Sequence, residues 1–234
     1  MKPGQAPKFI DSSMISFNKE SRDDSDAMQG FGGWIERYAK FLEEYKDDKQ
    51  ATAATDCNDA NPAAEGRVCK FELSTLGTCG NEKYGYDAGS PCIVLKLNKI
   101  YGLKLKAYEG ADISEDKGMS KELVEHINKQ ADKNQVWVEC KGENPADIEA
   151  LKGKIEYFPK SQGFPTYYFP YLNQDNYKSP LVAVQFKDVP KNQLVHIECR
   201  AFAQGIGYNR RDRIGINHLE LFVTDNAGAS KIES

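Results

Sequence analysis

This sequence predicts a mainly β, disulfide-stapled domain built as a β-sandwich, and three observations carry that prediction. Six cysteines, Cys57, Cys69, Cys79, Cys92, Cys140 and Cys199, fall in three pairs along 234 residues. Short runs of alternating apolar and polar residues dominate from residue 68 onward. The last two cysteines end two such runs, Val136-Trp137-Val138-Glu139-Cys140 and Val195-His196-Ile197-Glu198-Cys199, and each lies on its apolar face. Inward-facing cysteines on separate strands suit a bridge through the core of a sandwich. Such bridges persist in oxidising compartments and are rare in the cytosol.

The elements follow in chain order. Residues 1–25, with Pro3, Gly4 and Pro7 and the polar run Ser21-Arg22-Asp23-Asp24-Ser25, read as an extended lead-in. Trp34, Tyr38, Phe41, Leu42 and Tyr45 then recur at helical spacing, opposite Glu36, Arg37, Lys40, Glu43 and Glu44. This predicts a helix over 27–47 with Ser25 or Asp26 as N-cap, weakened early by Gly30, Gly32 and Gly33. Residues 48–66 read as loop. Cys69, Phe71 and Leu73 share one strand face, and 93–97, 181–186 and 218–223 read as further strands. Leu123, Val124, Ile127 and Ala131 place a helix over 120–131. Asn144-Pro145-Ala146-Asp147 supplies a cap, an N1 proline and an early acid for a short one. One domain over 26–223 is the economical reading, with 224–234 a polar tail without order.

Composition narrows the function classes. A net charge of −4 removes the basic footprint that nucleic acid or acidic lipid requires. No run approaches the roughly 18 to 20 apolar residues that span a bilayer, and no secretory h-region follows Met1. A disulfide framework still requires export, so the chain is expected to be an ectodomain excised from a longer protein, with Met1 added. No Asn-x-Ser/Thr acceptor occurs.

Six cysteines allow fifteen pairings, and spacing does not choose among them. The local reading favours sequential partners, because Cys57 with Cys69 and Cys79 with Cys92 close short loops. Each such loop stabilises by about 3 kcal/mol in the chain-entropy description, and a longer Cys140–Cys199 loop by about 4 kcal/mol. No Cys-x-x-Cys exists to begin a zinc site.

Several segments then fall in a recognisable order. They are Val68-Cys69-Lys70-Phe71-Glu72-Leu73, Leu76-Gly77-Thr78-Cys79, Tyr84-Gly85-Tyr86-Asp87-Ala88-Gly89-Ser90-Pro91-Cys92 and Leu95-Lys96-Leu97-Asn98-Lys99-Ile100-Tyr101-Gly102. Gly163-Phe164-Pro165, Tyr168-Phe169-Pro170-Tyr171, Pro180-Leu181-Val182-Ala183-Val184-Gln185-Phe186 and Ile197-Glu198-Cys199-Arg200-Ala201-Phe202 follow. From about Pro3 to Val223 this string resembles the β subunit of the animal Na+/K+-ATPase. The resemblance implies an immunoglobulin-like β-sandwich with long insertions, a flanking helix and disulfides Cys57–Cys69, Cys79–Cys92 and Cys140–Cys199. It also implies a non-catalytic subunit at the plasma membrane, on the extracellular side, anchored by a membrane helix that this chain lacks. Such a subunit assists folding and export of the ion-pumping α subunit and tunes potassium transport. The H+/K+-ATPase β subunit is a neighbour in the same class. The chain departs from the family at Leu172-Asn173, where Tyr-Gly is usual, in its missing glycosylation acceptors and in its short first disulfide loop.

The candidate site residues are few. The stretch from Tyr157 to Tyr171 holds aromatics extended between prolines, which suits a protein interface. The resemblance places contact with the α subunit at Tyr168, Phe169, Pro170 and Tyr171. Neither catalytic residue, metal ligand nor cofactor is expected. His126 sits on a predicted exposed helix face, and His196 and His218 read as solvated strand residues. Arg210, Arg211 and Arg213 read as a solvated turn pairing with acids, and Asp23-Asp24-Ser25-Asp26 as a helix start. An adhesion ectodomain making β–β contacts between cells, independently of pumping, is the alternative.

Overall fold

The computed structural model describes residues 2–3, 13–22, 30–50, 54–64 and 66–225. Among these the strands are β1 (Lys2–Pro3), β2 (Met14–Asn18), β3 (Ala54–Thr55), β4 (Val68–Cys69), β5 (Cys92–Lys96), β6 (Gln135–Gly142), β7 (Ile155–Phe158), β8 (Gly163–Pro165), β9 (Val182–Phe186), β10 (Leu194–Phe202) and β11 (Ile216–Thr224). The helices are α1 (Gly32–Glu43), α2 (Lys121–Lys129) and α3 (Pro145–Leu151). One sheet runs β1-β5-β9-β7, the second β2-β11-β10-β6-β8, and β3 pairs with β4. The fold is mainly β, with a few helices and three disulfides. No helix among the described residues is long and apolar enough to cross a membrane.

One apolar core takes side chains from both large sheets. Ile93, Leu95, Val182 and Val184 come from the four-stranded sheet, and Val136, Val138, Val195, Ile197, Leu219 and Leu221 from the five-stranded one. The period-2 alternation turns Trp137 and Phe202 to the opposite face, where Met119, Leu123 and Ile127 from α2 and its lead-in cover them. Strand β6 is therefore covered on both faces. Helix α3 is capped as its sequence predicts: the Asp147 N–H donates to Asn144 Oδ1 at 3.1 Å, with Pro145 at the first turn. Gly142 lets α3 lie against the end of β6, since a Cβ there would fall 2.3 Å from backbone atoms of Asp147 and Ile148.

Several expectations need correction. Helix α1 begins at Gly32 after Phe31, whose side chain makes no cap bond, and it ends at Glu43 rather than 47. Gly32 and Gly33 belong to it because they are buried, so packing offsets their poor propensity. The expected caps Ser25 and Asp26, and the whole run Asp23-Asp24-Ser25-Asp26, lie outside the described residues, as do 226–234. Tyr45 falls beyond the helix, yet it stays buried and donates to Ser179 O at 3.1 Å. Part of the expected lead-in is strand: β2 pairs in parallel with β11, and Trp34 Nε1 of α1 donates to Ser16 O at 2.9 Å. The strand expected over 69–73 stops at Cys69. Beyond it, the Phe71 backbone is held by a side chain instead of a neighbouring strand: Gln50 accepts from Phe71 N–H at 2.8 Å and donates to Phe71 O and Tyr45 O at 2.7 Å.

The disulfides join Cys57 to Cys69, Cys79 to Cys92 and Cys140 to Cys199. The third is not a bridge between sheets. Cys140 and Cys199 are directly opposite residues of the antiparallel pair β6–β10, with Cα atoms 3.9 Å apart. Facing residues at a narrow, non-hydrogen-bonded position approach closely enough for this. The polar link between sheets is Tyr157 of β7. Its hydroxyl accepts from Cys140 N–H at 2.8 Å and lies 3.4 Å from Cys140 O. Strand β8 ends its pairing at Trp137, so the outer edge of β6 would otherwise carry open groups. Gln162 serves Val138 in the same way: its backbone O accepts from Val138 N–H at 3.0 Å, and its amide donates to Val138 O at 2.9 Å.

Replacing Tyr157 with Phe removes one partner and leaves a buried N–H unsatisfied. We expect Tyr157→Phe to lose about 1–3 kcal/mol of stability in urea unfolding, with the three disulfides intact. An unchanged midpoint would show that the edge of β6 is solvated.

Candidate partner-docking surface

The aromatic stretch is anchored by one ring and open at the others. Tyr168 is 7% exposed, and its hydroxyl donates to Lys70 O at 2.6 Å, next to the backbone that Gln50 grips. Burial pushes the Tyr168 hydroxyl well above its ordinary pKa, so it stays a donor. Tyr167 stacks on Tyr168 with ring centroids 4.9 Å apart. Phe169, Pro170 and Tyr171 are half-buried. The predicted group of four thus divides: Tyr168 is part of the core, and the next three residues lead to the surface.

The loop after them is tightly held. Gly102 N–H donates to Tyr171 O at 2.8 Å, and Leu172 N–H to Gln174 Oε1 at 2.8 Å. Asn173 takes φ 62°, the left-handed conformation that asparagine tolerates where glycine is usual. The Tyr171 hydroxyl donates to Asn173 Oδ1 at 2.8 Å, and its ring packs on Tyr177 at 5.1 Å. This pins Tyr171 beside a cleft of about 360 Å3, walled by Leu97, Ile100, Leu103, Leu105, Phe169 and Ile206. Large apolar side chains stand open around it: Tyr101 is 72% exposed, Ile100 54% and Leu172 50%. Exposed apolar residues beside an apolar-walled cleft suit an interaction surface.

Of the cleft's lining, the sequence singled out Phe169 and Tyr171 but not Ile100 or Leu103. Ile100-Tyr101, two large apolar residues just past a strand end, were the signal available. Gln50 gave none, being a polar residue in a charged loop.

The histidines sit differently from expectation. His196 and His218 are half-buried, not solvated, and their rings lie 6.2 Å apart. Register explains this, since His196 faces Glu220 and His218 faces Glu198 across β10–β11. His218 Nδ1 meets Glu143, and His196 Nδ1 lies 3.6 Å from the buried Asp147 carboxylate. Arg210 pairs with Glu143 at 2.8 Å and Glu198 at 3.6 Å. His126 is half-buried, edge-on to Trp137 at 6.2 Å. Among the described residues no group of three or more His, Cys, Asp or Glu is arranged to hold a metal ion.

Fold and site together define a disulfide-stapled β domain that presents an aromatic-walled cleft. The particular family follows from comparison with known proteins. The family model described as "Sodium / potassium ATPase beta chain" matches residues 2–218. The chain is 40% identical over 208 residues to sodium/potassium-transporting ATPase subunit beta-1 of Drosophila melanogaster, covering 87% of this chain and 63% of that protein. It is 37% identical to the beta-2 subunit of the same species, over 83% and 62% of the two chains. Probable subunit beta-3 of Caenorhabditis briggsae is 31% identical over 92% and 62%. The chain belongs to the sodium/potassium ATPase β-chain family, and it spans less than two thirds of the length of these relatives.

Anchor and rim are separable by substitution. Tyr168→Phe should cost about 1–3 kcal/mol in denaturant unfolding, because Lys70 O loses its donor. Leu172→Ser should stay within about 0.5 kcal/mol of the parent. Equal losses from both would place the rim in the core.

Proposed function

We propose that this chain is the extracellular domain of a sodium/potassium-pump β subunit and works without catalysis of its own. In this reading it docks on the extracellular side of the catalytic α subunit, assists its folding, assembly and delivery to the plasma membrane, and modulates potassium transport. The two sheets around one core are read as the family's immunoglobulin-like sandwich, carrying its third disulfide inside one sheet. Three disulfides support an oxidising, extracellular setting. The observation that carries the docking reading is the cleft bounded by Phe169, Tyr171, Ile100 and Leu103.

The physical role needs no moving parts. A rigid domain that contacts one conformation of its partner better than another shifts the partner's equilibrium by that difference in binding. A membrane anchor would raise the effective concentration of the contact, so the free domain is expected to bind more weakly than the anchored one.

Co-purification with a sodium/potassium ATPase α subunit tests the reading. Replacing Ile100 and Leu172 together by Ser should lower recovery of α by tenfold or more, since buried apolar anchors carry about 2 kcal/mol or above at an interface. Undiminished recovery by a folded Ile100→Ser, Leu172→Ser variant would remove the cleft from the interface. Self-association of the domain that this variant abolishes, with recovery of α unchanged, would assign the cleft to β–β contact instead.

A further inference from the structure

Beside the cleft, three lysines stand over two pairs of aromatic rings. Phe41 and Tyr45 lie 5.6 Å apart at the end of α1, and Tyr171 and Tyr177 lie 5.1 Å apart in the cleft-side loop. Lys96 Nζ is 5.2 Å from the Phe41 ring centre and Lys178 Nζ 5.9 Å from that of Tyr45. Lys99 Nζ is 5.5 Å from the Tyr171 ring and 5.4 Å from that of Tyr177, and it donates to Tyr177 O at 3.0 Å. The ammonium groups gain from the ring faces, but cation–π contact does not neutralise charge.

Counter-ions are scarce on this face. Lys178 reaches Glu44 at 3.5 Å, and the Glu44 side chain is 76% exposed. Among the described residues no carboxylate lies within ion-pair distance of Lys96 or Lys99. Burial, with Lys99 and Lys178 nearby, holds the Lys96 ammonium below its ordinary pKa, and Glu44 opposes that only in part. Some lysines elsewhere pair with acids, Lys46 with Glu43, Lys70 with Asp47 and Glu72, Lys83 with Asp87 and Lys187 with Glu156. Lys96 thus sits half-buried beside two other cations, held by a ring face and by no carboxylate among the described residues.

We propose that Lys96, Lys99 and Lys178 form a docking face for an acidic polypeptide segment of the partner, whose apolar side chains enter the adjoining cleft. The inference rests on the proposed subunit docking and adds the charge of the segment that docks. A polypeptide fits better than a lipid surface because the lysines adjoin a walled cleft, with Tyr171 shared between the two. Carboxylates spaced along a chain would meet the lysines singly while Ile100, Tyr101 and Leu172 supply apolar contact.

The test joins charge removal to salt dependence, using this chain co-expressed with a sodium/potassium ATPase α subunit. Three rim ion pairs of ordinary strength together give about a tenfold change in affinity. The Lys96→Gln, Lys99→Gln, Lys178→Gln variant should therefore bind α about tenfold more weakly at low ionic strength. It should also lose most of the salt sensitivity of the parent, because screening acts only on charges still present. Thermal unfolding no lower than the parent's would show that the fold is not the cause. If the triple variant binds α with unchanged affinity and salt dependence while Ile100→Ser with Leu172→Ser weakens binding, the lysine inference is overturned and the docking reading stands. If neither variant changes binding, both are overturned. Binding of phosphatidylserine vesicles by the parent and not the triple variant, with α binding unaltered, would overturn the peptide assignment in favour of a membrane.

Discussion

The pairing of β6 with β10 is the constraint on which the rest of the structure depends. These strands sit at the centre of the five-stranded sheet, and their facing residues Cys140 and Cys199 are joined covalently. A one-residue slip would exchange Trp137 for Val138 on the core face and carry the cysteines apart. The bridge excludes that slip. The outer edge of β6 is closed by side chains instead of a full strand, with Gln162 serving Val138 and Tyr157 serving Cys140. Because Tyr157 comes from the other sheet, the same hydroxyl that completes one sheet also ties it to its neighbour.

From that centre the surface is reached through graded burial. Gln50 and Tyr168 grip the backbone of Lys70 and Phe71 from two sides, fixing the segment that follows the first disulfide. Tyr168 is thereby immobilised, and Phe169, Pro170 and Tyr171 continue from a fixed point to the cleft. Pre-set aromatic side chains lose little entropy on binding, which favours a contact surface made this way. Charge and apolar surface then meet at Tyr171, which borders the cleft and lies under Lys99.

Much of this was legible in the chain itself. Alternation located β6, β10 and β11, and short apolar runs located β5 and β9, whose residues are buried on both faces. The cap of α3 was legible because Asn144 accepts a local backbone bond, which needs no distant partner. What stayed hidden depended on tertiary contact. The start of α1 at Gly32 runs against local propensity. The end of the strand at Cys69 goes with Gln50 holding the Phe71 backbone, twenty-one residues away in sequence. The phase of Cys140 and Cys199 showed that both face inward, but not that they face each other within one sheet, since alternation sets a face and not a neighbour. His196 and His218 read as exposed because polar strand positions usually are, while α3 and the loop holding Arg210 cover them. The aromatics expected to face a partner stood out as a group, and only packing separated Tyr168 from Tyr171.

In our reading a covalently registered β scaffold presents the cleft and its lysine rim as a preformed contact surface. Hydrogen–deuterium exchange of this chain, alone and bound to a sodium/potassium ATPase α subunit, tests it most directly. We predict added protection at residues 97–105, 169–177 and 205–215, with no change across the His196 and His218 face of β10 and β11. Protection confined to the His196 and His218 face, with the cleft segments exchanging as in the free chain, would contradict it.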